Sequence, residues 1–381
     1  MRKLQVIRCV LLEERKRLKL QYLFNLGLLI ALVSIPSQSV FGQTTAYVVT
    51  DLSKDDAAEV PVRLNNKGDI AGRAAKPTKG GIRATIWNYS DLKKKELGAL
   101  SEGDYSSAFA INDTGQVAGV SNTAKALVPF LWTPASGFRP LPLLYGDKCG
   151  QAVGINKYGH VVGYSSGRNG AKAFVWSGTQ GTRVLAGLPG GDHSRACDVN
   201  DLDQVVGTSD STAGERAVLW SNTGNVLDLG TLPGDWASEA TGINNMGEVI
   251  GCSKGPRGMH AFIWTPAGGM QQLGVLPGGT SSRALAINDL GEVVGSSTST
   301  VGDHAFLWTR QRGMTDLNNA DSANLGVVLI EAHSINAKGK IIAMGTVVNA
   351  AHVNSDHSSS GNQVCAPAPP SSFLLTPVAA K

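Results

Sequence analysis

Four charged residues recur at one place in a repeated pattern: Arg195, Glu239, Arg283 and Glu331, separated by 44, 44 and 48 residues. Alternating signs at near-constant spacing admit two kinds of chemistry. The four can pair with one another, and surface pairs of that type contribute about 0–1 kcal/mol each. Alternatively, they form a polar collar that grips a charged or hydroxyl-rich ligand. Trp236 stands nearby, in a loop where the adjacent copies carry Asp192 and Thr280. Such an unscheduled tryptophan is a candidate anchor for a sugar or a protein partner, or else a simple cover for its loop. His333 replaces the apolar residue of most other copies and could share a polar pocket with Glu331. A satisfied core histidine is the plainer reading.

Motifs that would announce catalysis are missing from the chain. It has no His-Glu-x-x-His, no phosphate-binding glycine loop and no Gly-x-Ser-x-Gly. The Asn-Asp-x-Gly turns look superficially like the Asp box of sialidase propellers, but lack its serine and following aromatic, so Asp113 and Asp289 read as turn residues. One carboxylate per turn is too few oxygens for calcium, and the cysteine spacing fits no zinc motif. No metal and no cofactor are therefore expected. Asp104, Asp147, Asp192 and Asp235 recur in the loops between copies and read as turn formers, since Asp bonds its own neighbouring backbone.

The elements that position these residues follow from an internal repeat. Seven segments share an apolar-Asn-x-x-Gly-x-apolar pattern or a close variant, with asparagines at 65, 112, 156, 200, 244, 288 and 336. Six tryptophans keep step at 87, 132, 176, 220, 264 and 308. In the sixth copy, 281–288, 292–297, 304–309 and 313–317 read as four short strands, the first two joined by a glycine turn. Four strands in about 44 residues is the size of a propeller blade. The position five before Asn is variable (Val60, Ser107, Gln151, Arg195, Glu239, Arg283, Glu331), whereas the position four before is alanine in six copies. Small residues suit the crowded axis of a ring. The tryptophans are core between blades, each worth roughly 1.5–3 kcal/mol when buried. The seventh copy lacks a fourth strand, and residues 47–52 resemble it, so the N-terminal segment should complete the last blade.

The ends differ in composition. Residues 1–42 read as an export signal, with a basic n-region, an apolar run over 22–33 and a cleavage site at Val40-Phe41-Gly42. That leader carries seven basic and two acidic residues, +5 of the chain's +4, leaving a body of −1. An uncleaved membrane anchor is the alternative, although the run is shorter than the ~20 residues of a spanning helix. A near-neutral body gives no basic stripe for nucleic acid. Residues 349–371, with His352, His357, a serine run and prolines, read as a flexible insertion in the last blade. Cys149, Cys197, Cys252 and Cys365 allow three disulfide pairings in an oxidising compartment, and buried free thiols are an equal reading for Cys197 and Cys252.

The tripeptides His260-Ala261-Phe262 and His304-Ala305-Phe306 occur with Ile-Asn-Asp-x-Gly-x-Val-x-Gly at 111–119 and 287–295, and with Leu-Gly-x-Leu-Pro-Gly at 229–234 and 273–278. In these the chain resembles the HAF family of extracellular repeat proteins, over about residues 46–345. The resemblance implies an exported repeat protein and supplies no catalytic residues. Copies one and seven depart most, with Arg83-Ala84-Thr85 for the tripeptide and Leu375 for Trp.

The expected protein is thus all-β: a signal at 1–42, then a seven-bladed β-propeller of four-stranded antiparallel blades over 43–381, its ring closed by the N-terminal strand. Its expected role is a non-catalytic binding or interaction scaffold, secreted to the periplasm or beyond. The ligand, an extracellular protein or carbohydrate, would sit around Arg195, Glu239, Arg283, Glu331 and Trp236. A propeller lyase or glycoside hydrolase, and a purely structural surface protein, are the alternatives.

Overall fold

Alternating burial along short β-branched segments, with glycine at the turns, produces antiparallel sheets throughout. In the sixth copy, Ser282–Ile287, Val293–Ser299, Gly302–Thr309 and Gly313–Asp316 pair in sequence order. The turn after Asn288 needs Gly291 at φ 75°, a conformation that costs other residues strain. The computed structural model describes residues 46–53, 59–75, 81–168, 170–319, 326–347 and 371–378. The signal reading of 1–42 and nearly all of the 349–371 insertion, including Cys365, lie outside these. No helix among the described residues is long and apolar enough to cross a membrane.

The repeat count predicts seven separate four-stranded blades, and here the structure corrects the sequence. Five sheets have four strands, and the copies containing Asn112 and Asn156 share one sheet of eight. The fusion is a parallel bridge between Cys149 and Leu127. Its cause is a paired exception. In other copies a first-strand serine accepts a third-strand N–H of the preceding copy: Ser106 from Ala84, Ser194 from Ala173, Ser238 from Ala217 and Ser282 from Ala261. The corresponding residues at the fused junction are Pro129, which has no N–H, and Gly150, which has no hydroxyl. A Cβ on Gly150 would come within 2.6 Å of Leu143 and 3.3 Å of Pro129. With neither partner of the serine bridge present, the strands meet through their backbones.

The sheet holding Asn336 runs Val327–Ile335, Ile341–Val347, Ser371–Pro377, and its outer strand is Tyr47–Asp51 from the N-terminal segment. Apolar clusters lie between successive copies. One joins Val206, Ala217 and Leu219 to Ala240, Val249 and Phe262. The six alanines four before each Asn are buried at 0–1% exposure.

Two further repeated features fix the innermost strands. Each asparagine side chain donates Nδ2 to the main-chain carbonyl of the next copy's asparagine. The seven links, at 3.0–3.1 Å, form a cycle that closes from Asn336 onto Asn65. Each Oδ1 meanwhile accepts from the N–H four residues on, as in Glu248 to Asn244 at 2.9 Å, so one amide closes its own turn and staples its neighbour. The second feature is a β-bulge in each described first strand, as between Ala240 and Gly242. It drives the carbonyl of Glu239 over Gly251, where a Cβ would sit 1.9 Å from that oxygen.

Candidate functional site

The asparagine cycle marks one mouth of the central bore, and the starts of the same strands mark the other. In the copies of Asn112, Asn200, Asn244 and Asn288 the serine and alanine six and four before Asn are buried among the packed blades. The residue five before Asn is left partly open in the bore, except Ser107, which is buried. This is the variable position of the sequence, the collar, and two of its residues are joined directly.

Arg283 Nη2 meets Glu239 Oε1 at 2.8 Å, with side chains 45% and 32% exposed. The Cys252 thiol donates to the same carboxylate at 3.2 Å. Burial, and then Glu239, push the Cys252 pKa well above the usual thiol value. Burial opposes the charge on Arg283, but Glu239, Cys252 and Glu331 together hold its pKa above normal. Glu331 accepts from Ser296 Oγ at 3.3 Å and lies 3.2 Å from His333 Nδ1. Burial pulls the His333 pKa down, against Glu331 and with Arg63, which favours a neutral imidazole. Its Nε2 and the Ser107 hydroxyl are buried without a protein partner.

Arg195 does not join the alternating pairs. Its guanidinium stacks over Tyr164 at 5.1 Å, and among the described residues no carboxylate reaches it. The ring of mutual pairs is therefore realised only at Glu239–Arg283. Trp236 is 52% exposed in the loop before Ala237–Ile243. Its backbone is fixed, its N–H donating to Lys254 O and its carbonyl accepting from Arg216 Nη1. Among the described residues no ring or cation stacks on its indole. The structure thus gathers Glu239, Arg283 and Glu331, leaves Arg195 on a separate contact, and sets Trp236 three residues upstream of Glu239.

Deeper residues escaped the sequence reading. Asp198 sits two before Asn200, where other copies carry Ala110, Gly154, Gly242 and Ala286. Its carboxylate accepts the N–H groups of Val199 and Ile243 at 2.9 and 3.2 Å. Burial raises its pKa, against Arg63 and these bonds. The adjacent Cys197 thiol is pushed up to about 12, by burial first and then by Glu239 and Asp198. Two opposite charges, Asp198 and Arg63, at a position where the other copies carry Ala, Gly or Ser were the available signal. Cys149, Cys197 and Cys252 are free thiols, and no cluster of metal-ligating side chains occurs among the described residues. The inter-copy aspartates brace loops: Asp147 and Asp235 accept from Ser165 and Ser253 at 2.7 Å.

With this geometry in hand, solved structures place the chain. Virginiamycin B lyase from Staphylococcus aureus matches at TM-score 0.53 and 11% identity, over 87% of this chain and 99% of that one. Its catalytically inactive variant with quinupristin gives 0.55 at 11% identity, over 87% and 100%. An oligogalacturonate lyase in complex with manganese gives 0.55 at 11% identity, over 88% and 95%. The fold is a β-propeller. At these identities the likeness extends to nothing else. No family model matches the chain, and no curated protein matches it in sequence.

Proposed function

We propose that this protein is an exported propeller of the HAF type that binds an extracellular carbohydrate or protein without performing chemistry on it. Binding takes place at the collar mouth. Arg195, Glu239, Arg283 and Glu331 supply charge and hydrogen bonds, and Trp236 offers a free aromatic face at the rim. One observation carries the reading: five before each asparagine the copies carry different residues, four of them charged, and the Glu239 and Arg283 side chains stay partly open to the bore. Placement outside the cytoplasm rests on the pattern of residues 1–42 and on the HAF resemblance.

The test is a binding screen of the purified protein against neutral and uronic-acid oligosaccharides and candidate partner proteins, repeated with Arg283→Glu and Trp236→Ala. Loss of binding at unchanged melting temperature supports the scaffold. Melting lowered by both changes, with no ligand found, points to a structural surface protein instead.

A second reading is favoured by the Glu331–His333 contact, since a neutral imidazole oriented by a carboxylate can act as a general base. On that reading the protein is a lyase or glycoside hydrolase. Turnover of a polysaccharide, abolished by both Glu331→Gln and His333→Ala, would replace the scaffold with the enzyme.

A further inference from the structure

The opposite mouth carries a surface that the collar reading does not use. The residue two after each asparagine sits at the tip of its turn. In four successive copies it is a large apolar side chain held out to solvent: Tyr158 at 61%, Leu202 at 58%, Met246 at 71% and Leu290 at 69% exposure. The tips of the other three copies are Lys67, Thr114 and Lys338. Scattered single exposures need no explanation, but a run of adjacent ones marks an interaction surface. The same turns line a cavity of ≈ 200 Å³ with the asparagines, the apolar residues before them and the residues directly after them, each next in sequence to a tip.

Charge selects the occupant. The turns 200–204, 244–248 and 288–292, which carry three of the four apolar tips, contain five acidic residues and no basic one. Asp201, Asp203 and Glu248 are taken up by Lys157, His160 and Arg310 of other turns, which leaves Asp289 as the acid on the rim. Asp289 accepts from the N–H and Nδ2 of Asn245 at 2.9 and 3.0 Å. These neutral donors leave its charge in place. On its other side stands Ala337 of the next copy, which has no polar side chain to close the rim. The rim is thus open beside an unneutralised carboxylate, next to Leu290.

We propose that this mouth docks an extended protein segment in which a lysine or arginine is flanked by apolar residues. The basic group meets Asp289 at the cavity rim, and the apolar side chains rest on Leu202, Met246 and Leu290. This site is independent of the collar, and neither stands or falls with the other.

The test is fluorescence anisotropy with the full chain and three labelled peptides. One carries a single lysine between leucines, the second replaces that lysine with glutamate, and the third replaces the leucines with serine. The first should bind saturably, and the other two about tenfold or more weaker. Met246→Ser with Leu290→Ser should remove binding at unchanged melting temperature, because both side chains are exposed. Asp289→Asn, which keeps an acceptor for the Asn245 N–H and gives up the one for its Nδ2, should weaken binding and reduce its salt dependence. Equal affinity for the glutamate peptide, or no saturation by the lysine peptide at millimolar concentration, overturns the proposal. So does self-association in sedimentation that the same double substitution abolishes, since the surface would then belong to a second copy.

Discussion

The two mouths of the bore are made from opposite ends of the same strands, and they follow different rules. At one mouth every copy presents the same asparagine, in the same hydrogen bonds, and the bonds run round the ring and return to their start. At the other, neighbouring copies carry Gln151, Arg195, Glu239, Arg283 and Glu331, and each finds a different partner or none. A group that must link identical neighbours cannot vary without breaking two junctions. A side chain that only points into open space can. Periodicity in this chain therefore reports stability, and departure from it reports where recognition can evolve.

The largest expected effect breaks the periodic mouth. Asn244→Ala removes bonds to Met246 N–H, Glu248 N–H, Glu248 Oε2 and Asn288 O at one stroke. With Asn244 buried, the loss should be about 3 kcal/mol, allowing for groups left unsatisfied. Urea unfolding measures it, and a loss no larger than that of a surface substitution would show that the cycle is incidental. Next comes Gly251→Ala, whose Cβ would strike the Glu239 carbonyl at 1.9 Å. A destabilisation of roughly 1–3 kcal/mol is expected from such overpacking. The same substitution at Gly234, where a Cβ meets nothing within 4 Å, should cost only the strain of its positive φ of 85°.

These two residues show what the sequence discloses and what it withholds. Asparagine, glycine and tryptophan are visible as a register, because local turn chemistry and core size impose them on every copy. That the asparagine bonds the next copy is invisible, since the same residue is sufficient for a turn by itself. The fusion of two copies into one sheet was written in Pro129 and Gly150. Reading it required knowing that a serine hydroxyl and an N–H meet there in other copies. The place of the collar residues on the strand was legible, as the position five before each asparagine. Its pairings were not, because side-chain reach decides whether Arg195 turns to Glu239 or to Tyr164, and spacing alone carries no rotamer.

A smaller effect probes the collar through pH. His333 resists protonation in the folded chain, whereas the unfolded histidine binds a proton near pH 6.5. Folding is then disfavoured as pH falls below that value and through the depressed folded pKa, with Glu331 opposing the shift and Arg63 adding to it. His333→Gln should flatten the loss of stability between about pH 7 and pH 5. An unchanged slope in urea midpoints would place the sensitive group elsewhere.

The smallest effect is the most discriminating for the comparison of mouths. If the collar exists for a ligand, Glu239 and Arg283 should add little to folding, since both are about a third or more exposed and the pair is joined through a single oxygen. A double-mutant cycle with Glu239→Gln and Arg283→Met isolates their coupling. Glutamine keeps an acceptor for the Cys252 thiol, so the cycle reads the ion pair and not the loss of that bond. Coupling below about 1 kcal/mol is expected. Binding by any collar ligand should fall in both single variants. A coupling of about 3 kcal/mol, the size expected when breaking a buried pair, would make the collar a second structural ring. The contrast between the mouths would then disappear, because both would owe their residues to the closure of the same fold.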